Sequence, residues 1–125
     1  MPDMSKLIEK VTKKVGNKKA KVKPYKEDLP SDTKEKKLPK DLQSALEEKF
    51  SVDLKHVRVH TGKGAEEAAK KLKARAFTCG TNLYLGKASD LGNKEFLAHE
   101  LAHVIQKYNG KKIPREGKGK VLTSK

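Results

Sequence analysis

The sequence has no Trp, a single Cys and few aromatic residues, which make up 5% of its 125 residues. Hydrophobic residues account for only 34% of the chain and charged residues for 37%, so we predict a small core with some chain outside it. Because Cys79 is alone, an intrachain disulfide is excluded, which suits folding in a reducing cytoplasm.

Long hydrophobic runs are also missing. The N-terminus lacks the apolar run of about 7 to 15 residues that a secretory signal needs, and no stretch approaches the roughly 18 apolar residues of a membrane span. We therefore expect no transmembrane segment. We expect the protein to be cytoplasmic on synthesis, and any export to follow a route that needs no signal peptide.

The excess positive charge of +14 comes almost entirely from Lys. Residues 1–38 hold 12 basic and 6 acidic residues, residues 39–110 hold 12 and 9, and residues 111–125 hold 6 and 1. Basic flanks of this kind attract nucleic acid, acidic proteins or anionic membranes. Sequence-reading surfaces favour the bidentate Arg fork over Lys, so we expect solubilising flanks and no specific nucleic-acid partner.

Hydrophobic spacing predicts four helices. Pro39 suits a first helical position, Asn93 suits an N-cap, and Gly16 and Gly110 follow the first and last helices as stop signals. The predicted helices run from Met4 to Val15, from Pro39 to about Lys49, from Ala65 to Ala74, and from Glu95 to about Tyr108.

Alternation predicts a half-buried strand from His56 to His60, with Val57 and Val59 facing the core and the two His side chains on the opposite face with Arg58. Two further short strands, 76–79 and 83–85, flank the turn residues Gly80-Thr81-Asn82 and predict a hairpin.

The fold class is therefore predicted to be α+β, with about three helices packed on a small sheet. Residues 38–110 form the predicted domain. Residues 1–37 are predicted to be a basic amphipathic helix followed by a flexible linker over 18–37, and residues 111–125 a basic disordered tail.

The last predicted helix contains His99-Glu100-Leu101-Ala102-His103, which has the form H-E-x-x-H. Residues four apart project from nearly the same side of a helix, so both imidazoles can reach one tetrahedral Zn²⁺ at about 2.0–2.1 Å. Glu100 lies about 100° round the helix, where it can contact a metal-bound water. Zinc lowers the pKa of that water to about 7, and the carboxylate accepts its proton as a carbonyl is attacked.

A tetrahedral catalytic zinc needs one more protein ligand besides the two His and a water. His60, at the end of the predicted strand, is the first choice for this metal ligand. His56, Glu116 and Asp90 remain as alternatives. A small buried hydrophobic role is the expectation for Cys79.

Several segments in consecutive order resemble the eCIS core domain family of bacteria, which comprises zincin-like metallopeptidase domains associated with extracellular contractile injection systems and their toxin cargo. The match covers roughly residues 38 to 107. The residues that carry it are Leu38-Pro39, Phe50 to Leu54, Val57 to Thr61, Ala74 to Thr78 with Gly80, Leu83 to Gly86, and Leu97 to Gln106.

The resemblance implies a minimal zincin-like domain with His99 and His103 as metal ligands, Glu100 as the catalytic residue and His60 as the strand-end histidine of the family. We expect a zinc-dependent metallopeptidase that acts on a peptide or protein substrate, with its own chain as one candidate substrate and components of an injection system as partners. Two alternatives stay open: a non-catalytic, metal-clasped module that docks cargo, and a basic nucleic-acid-binding protein.

Overall fold

The computed structural model describes residues 4–15, 21–24, 30, 32–108 and 120–124. They form an α+β fold, which confirms the predicted class, with four α-helices, a short 3-10 helix at Ala88–Gly92 and one mixed sheet. The α-helices are α1 (Met4–Val15), α2 (Lys40–Phe50), α3 (Lys63–Lys71) and α4 (Lys94–Lys107). The described strands are β1 (Lys21–Pro24), β2 (Lys34–Lys37), β3 (Arg58–Thr61), β4 (Ala76–Cys79), β5 (Asn82–Leu85) and β6 (Lys120–Ser124).

The strands of the sheet follow the order β1-β6-β4-β5-β3-β2. Neighbouring strands pair antiparallel except for β3 and β5, which are parallel. The predicted hairpin is confirmed: Cys79 pairs with Asn82 across a two-residue turn, and Gly80 at its first position has a φ of 61°. That backbone conformation is one that glycine adopts without steric cost.

Helices cover both faces of the central strands β3, β4 and β5. One face carries Val59, Leu83 and Leu85 and packs with α1, α2 and α4 in the larger hydrophobic cluster. The other face carries Phe77 and Tyr84 and packs with α3. Both faces of β3, β4 and β5 are therefore buried, where the sequence predicts a polar outer face for the first of these strands.

The strand predicted from His56 to His60 begins two residues later, at Arg58. The backbone N–H of Val57 donates to the carbonyl of Leu54 at 3.0 Å, so a turn holds the residues immediately before the strand. His56 consequently lies in that turn and does not share a strand face with His60.

Three strands lie in segments that the sequence predicts to be a linker and a disordered tail. Strand β2 pairs with β3, and β6 pairs with both β1 and β4. Sheet pairing uses backbone groups and needs no apolar side chains, so a Lys-rich segment can still add a strand at an edge. The four exposed side chains of β2, Lys-Glu-Lys-Lys, suit an edge that must not pair with a further chain. The domain boundaries at residues 37/38 and 110/111 stay a prediction.

Helix α1 is confirmed from Met4 to Val15, and its apolar side is part of the main core. Ile8, Val11 and Val15 are 5% exposed or less and belong to the cluster that includes α4. On the polar side, Lys14 of α1 donates to Glu95 of α4 at 3.2 Å. Within the part of the chain described, no helix is long and apolar enough to cross a membrane.

Candidate metal centre

Helix α4 presents the H-E-x-x-H motif from a firmly packed position. Its first turn is capped by the side chain of Asn93, which accepts a hydrogen bond from the backbone N–H of Phe96 at 3.0 Å. Leu97, Leu101 and Val104 are each 2% exposed or less, so the apolar stripe predicted from the sequence anchors the helix to the core. The two His side chains flank this stripe and are only partly buried.

The structure brings His99 and His103 together. Their Nε2 atoms lie 3.1 Å apart, and their ring centroids are 4.7 Å apart with an angle of 78° between the planes. Two imidazole nitrogens bound to one tetrahedral zinc at about 2.0–2.1 Å stand about 3.3 Å from each other. The separation of the two Nε2 atoms is therefore close to the one that a shared metal ion requires, and it also suits a hydrogen bond between the rings.

Burial also favours the metal-binding form of His103. The pKa of His103 is lowered from its ordinary value, mainly by burial and further by the neighbouring His99, with a hydrogen bond to Gln106 acting in the opposite direction. A lowered pKa keeps the ring neutral at physiological pH, and a metal ligand must be neutral.

Glu100 lies on the buried side of the helix and is 4% exposed. Its charge reaches Arg75: hydrogen bonding to Asp90 is the main factor that raises the pKa of this arginine, and the charges of Asp90 and Glu100 add to it. The carboxylate proposed as the base therefore sits in a low-dielectric environment within electrostatic range of a guanidinium group.

Beside the His pair, an open cleft of about 370 Å³ runs between α1 and α4. Its walls combine two apolar side chains, two cationic ones, one carboxylate, one amide and one imidazole. The lining residues are Val11, Lys14, Arg75, Asn93, Glu95, Phe96 and His99. One of the two candidate ligands is thus accessible from a cavity large enough for a few residues of a peptide.

His60 lies on the other face of the sheet, away from α4. Its ring stacks on Tyr84 with centroids 4.5 Å apart, and Tyr84 belongs to the cluster under α3. Its Nδ1 is hydrogen-bonded to the Thr33 hydroxyl at 2.9 Å, and its Nε2 to the Asn82 side-chain oxygen at 2.9 Å. The structure therefore does not bring His60 to the His99–His103 pair, because β3 points alternate side chains to opposite faces and both of its ring nitrogens are already engaged.

Two of the other candidate third ligands, Asp90 and His56, are not brought to the pair either. Asp90 is buried and accepts two hydrogen bonds from Arg75, at 3.0 and 3.2 Å. His56 lies in the turn before β3, and Glu116 lies outside the described residues. Among the residues that the structure describes, no group of three His, Cys, Asp or Glu is placed to hold a metal ion.

Sequence reasoning missed two parts of this site. Arg75 precedes a short strand and has no periodic pattern around it, so nothing in the sequence indicates that it reaches the cleft. The contribution of α1 could have been found from the sequence. Its apolar stripe of Ile8, Val11 and Val15 needs an apolar partner, and α4 supplies one.

The model of the eCIS core domain family matches residues 37–111 of the chain. No curated protein and no solved structure matches the chain. The family match agrees with the resemblance drawn from the sequence and covers the H-E-x-x-H helix, the hairpin and β3. It points to an association with contractile injection systems, whose components are the expected partners. With more than half of its length matched, the chain belongs to the eCIS core domain family.

Proposed function

We propose that the domain binds one zinc ion through His99 and His103 and hydrolyses peptide bonds with Glu100 as general base. The observation that carries the proposal is the 3.1 Å separation of the two Nε2 atoms. This separation is close to the one that two nitrogen ligands of a tetrahedral zinc ion take.

Each side chain of the motif has a distinct part in this chemistry. A bound zinc ion would supply Lewis acidity, which activates water and polarises a peptide carbonyl. Glu100 would accept the proton of the attacking water and deliver it to the leaving amine. Its burial would leave the carboxylate few competing contacts with solvent.

The third protein ligand is the part of the proposed site that still needs an experiment. His60 and Asp90 are engaged elsewhere in the fold, so the proposal does not use them. Glu116 is the one candidate from the sequence whose position the described residues leave open. If it is a ligand, Glu116→Gln will weaken zinc binding while the pair on α4 stays intact.

The family association suggests where such an activity would be used. We propose that the protein is made in the cytoplasm and is exported as cargo of a contractile injection system, or matures such cargo by proteolysis. The cleft beside His99 is small and open, which favours cleavage of the protein's own chain or of a single partner over broad digestion.

A second candidate function is a metal-clasped docking module without catalysis. The burial of Glu100 favours this second function. A general base must contact the attacking water, and a carboxylate that is only 4% exposed has little access to solvent. The two candidates share the zinc site and differ in whether Glu100 and the zinc ion hydrolyse a peptide bond there.

Zinc titration of the full chain tests the metal site. We expect the wild-type protein to bind about one zinc ion, and His99→Ala to lose at least 100-fold in affinity, because one imidazole cannot hold the ion against water. Isothermal titration calorimetry in a buffer that does not chelate zinc, with metal analysis after desalting, measures both quantities.

The matched control is His56→Ala, which removes an imidazole from the turn before β3. It should bind zinc like the wild-type protein. An equal loss in His56→Ala and His99→Ala would mean that zinc uses imidazoles outside α4, and the assignment of the site to the pair on α4 would be abandoned.

A further inference from the structure

Arg75 makes two kinds of contact within the fold, an ion pair and a cation–π contact. Its Nε donates to Asp90 Oδ2 at 3.2 Å and its Nη2 donates to Asp90 Oδ1 at 3.0 Å, a bidentate pair. Its guanidinium carbon lies 3.9 Å from the centre of the Phe96 ring, in a cation–π contact. The side chain is thus fixed from two directions before any ligand arrives.

These contacts use two of the five N–H groups of the guanidinium. None of the other described residues accepts a hydrogen bond from the remaining three. The side chain of Arg75 is 43% exposed and lines the same cleft as His99. A preorganised set of donors therefore faces the cavity that leads to the proposed metal ligand.

The wall of the cleft carries two cationic side chains, Lys14 and Arg75, and one carboxylate, Glu95. Lys14 from α1 also lines the cavity, and its ammonium group is bound to Glu95 at 3.2 Å. Asp90, the partner of Arg75, is buried and is not among the residues that line the cleft. Planar guanidinium groups with free N–H pairs bind carboxylates with the strongest directional preference.

We infer that Arg75 binds a carboxylate of the peptide substrate and so selects acidic peptides in the cleft beside His99. The inference rests on the proposed peptidase function, since it names the substrate class of that site. The carboxylate is either an Asp or Glu side chain or the free C-terminus of a peptide, because both present the same pair of oxygens. Arg75 would thus determine specificity and remain separate from the proton transfer assigned to Glu100.

Peptide binding to the full, zinc-loaded chain tests the inference without turnover if Glu100→Gln is the background. Ala-rich heptapeptides that carry an uncharged BODIPY label are the probes. One carries a central Glu and an amidated C-terminus, one a central Gln and a free C-terminus, and one a central Gln and an amidated C-terminus. Fluorescence anisotropy gives their dissociation constants.

We expect the peptides with a carboxylate to bind about 10- to 100-fold more tightly than the neutral one, as one charge-assisted contact implies. The peptide that binds more tightly than the neutral one shows whether Arg75 binds a side-chain carboxylate or the free C-terminus. Arg75→Gln should remove this preference. The double variant Arg75→Gln/Asp90→Asn should remove it too, and in this variant Asp90 is not left as a buried charge without its partner. Lys87→Gln, on the exposed loop before the 3-10 helix, is the charge-matched control and should keep the preference.

Equal binding of all three peptides, binding of none, or a preference that survives in both Arg75 variants would overturn the inference. Failure of the peptidase proposal has a different outcome. In that case acidic peptides still bind in an Arg75-dependent manner, but the chain with Glu100 intact leaves them uncut, as mass spectrometry would reveal.

Discussion

Replacement of Glu100 by Gln is expected to lower peptide hydrolysis about 10²- to 10⁴-fold, the contribution of one general acid–base group, while zinc binding is unchanged. Gln has nearly the same shape as Glu, so the buried position on α4 stays filled and the imidazoles of His99 and His103 keep their separation. The amide cannot accept the proton of the attacking water. Cleavage of quenched fluorescent casein, and of the chain itself followed by mass spectrometry, measures the effect.

Glu48→Gln is the matched control, because Glu48 is exposed on α2, away from the cleft. It should cleave as the wild-type protein does. If Glu100→Gln keeps full activity, the carboxylate has no part in turnover and hydrolysis must be assigned elsewhere. If the wild-type protein binds zinc but cleaves nothing, the docking module becomes the better account.

Replacement of Ile8 by Ala is expected to lower the free energy of unfolding by about 2–5 kcal/mol, the range for large-to-small changes in a packed core. Ile8 is 2% exposed and belongs to the same hydrophobic cluster as Leu97 and Leu101. The lost methylene and methyl groups would leave a cavity under α1. Urea denaturation followed by circular dichroism measures the change.

Lys13→Ala is the matched control for this helix, since Lys13 is exposed on α1 and its removal should change the free energy of unfolding by less than about 0.5 kcal/mol. Equal stability of the two variants would mean that α1 is a loosely attached flank. The cleft would then lose the wall to which Val11 and Lys14 belong, and the volume available beside His99 would be larger.

The helices were the part of the fold that could be predicted from sequence. The apolar stripes of α1, α2 and α4, the Asn93 cap and the Gly80 turn each depend on residues close in the chain, so local spacing is sufficient to locate them. The strands at the edges of the sheet could not be predicted in this way. Strand β2 consists of Lys-Glu-Lys-Lys, and only its pairing partner β3, more than twenty residues away, makes it a strand.

In the candidate site, too, local features could be predicted from the sequence and contacts between distant segments could not. Spacing four residues apart on a helix predicts that His99 and His103 share a face, and the structure has them in contact. The third ligand and the role of Arg75 depend on how distant segments meet. A polar outer face of β3 predicts His60 as a ligand, yet α3 covers that face and the ring of His60 stacks on Tyr84.

The most direct test of the account is a crystal structure of the full chain grown with zinc, with data collected on both sides of the zinc absorption edge. The account predicts one anomalous peak on α4, at about 2.0–2.1 Å from Nε2 of both His99 and His103. A map at saturating zinc with no peak at this pair, or with the two rings turned apart into solvent, would contradict it.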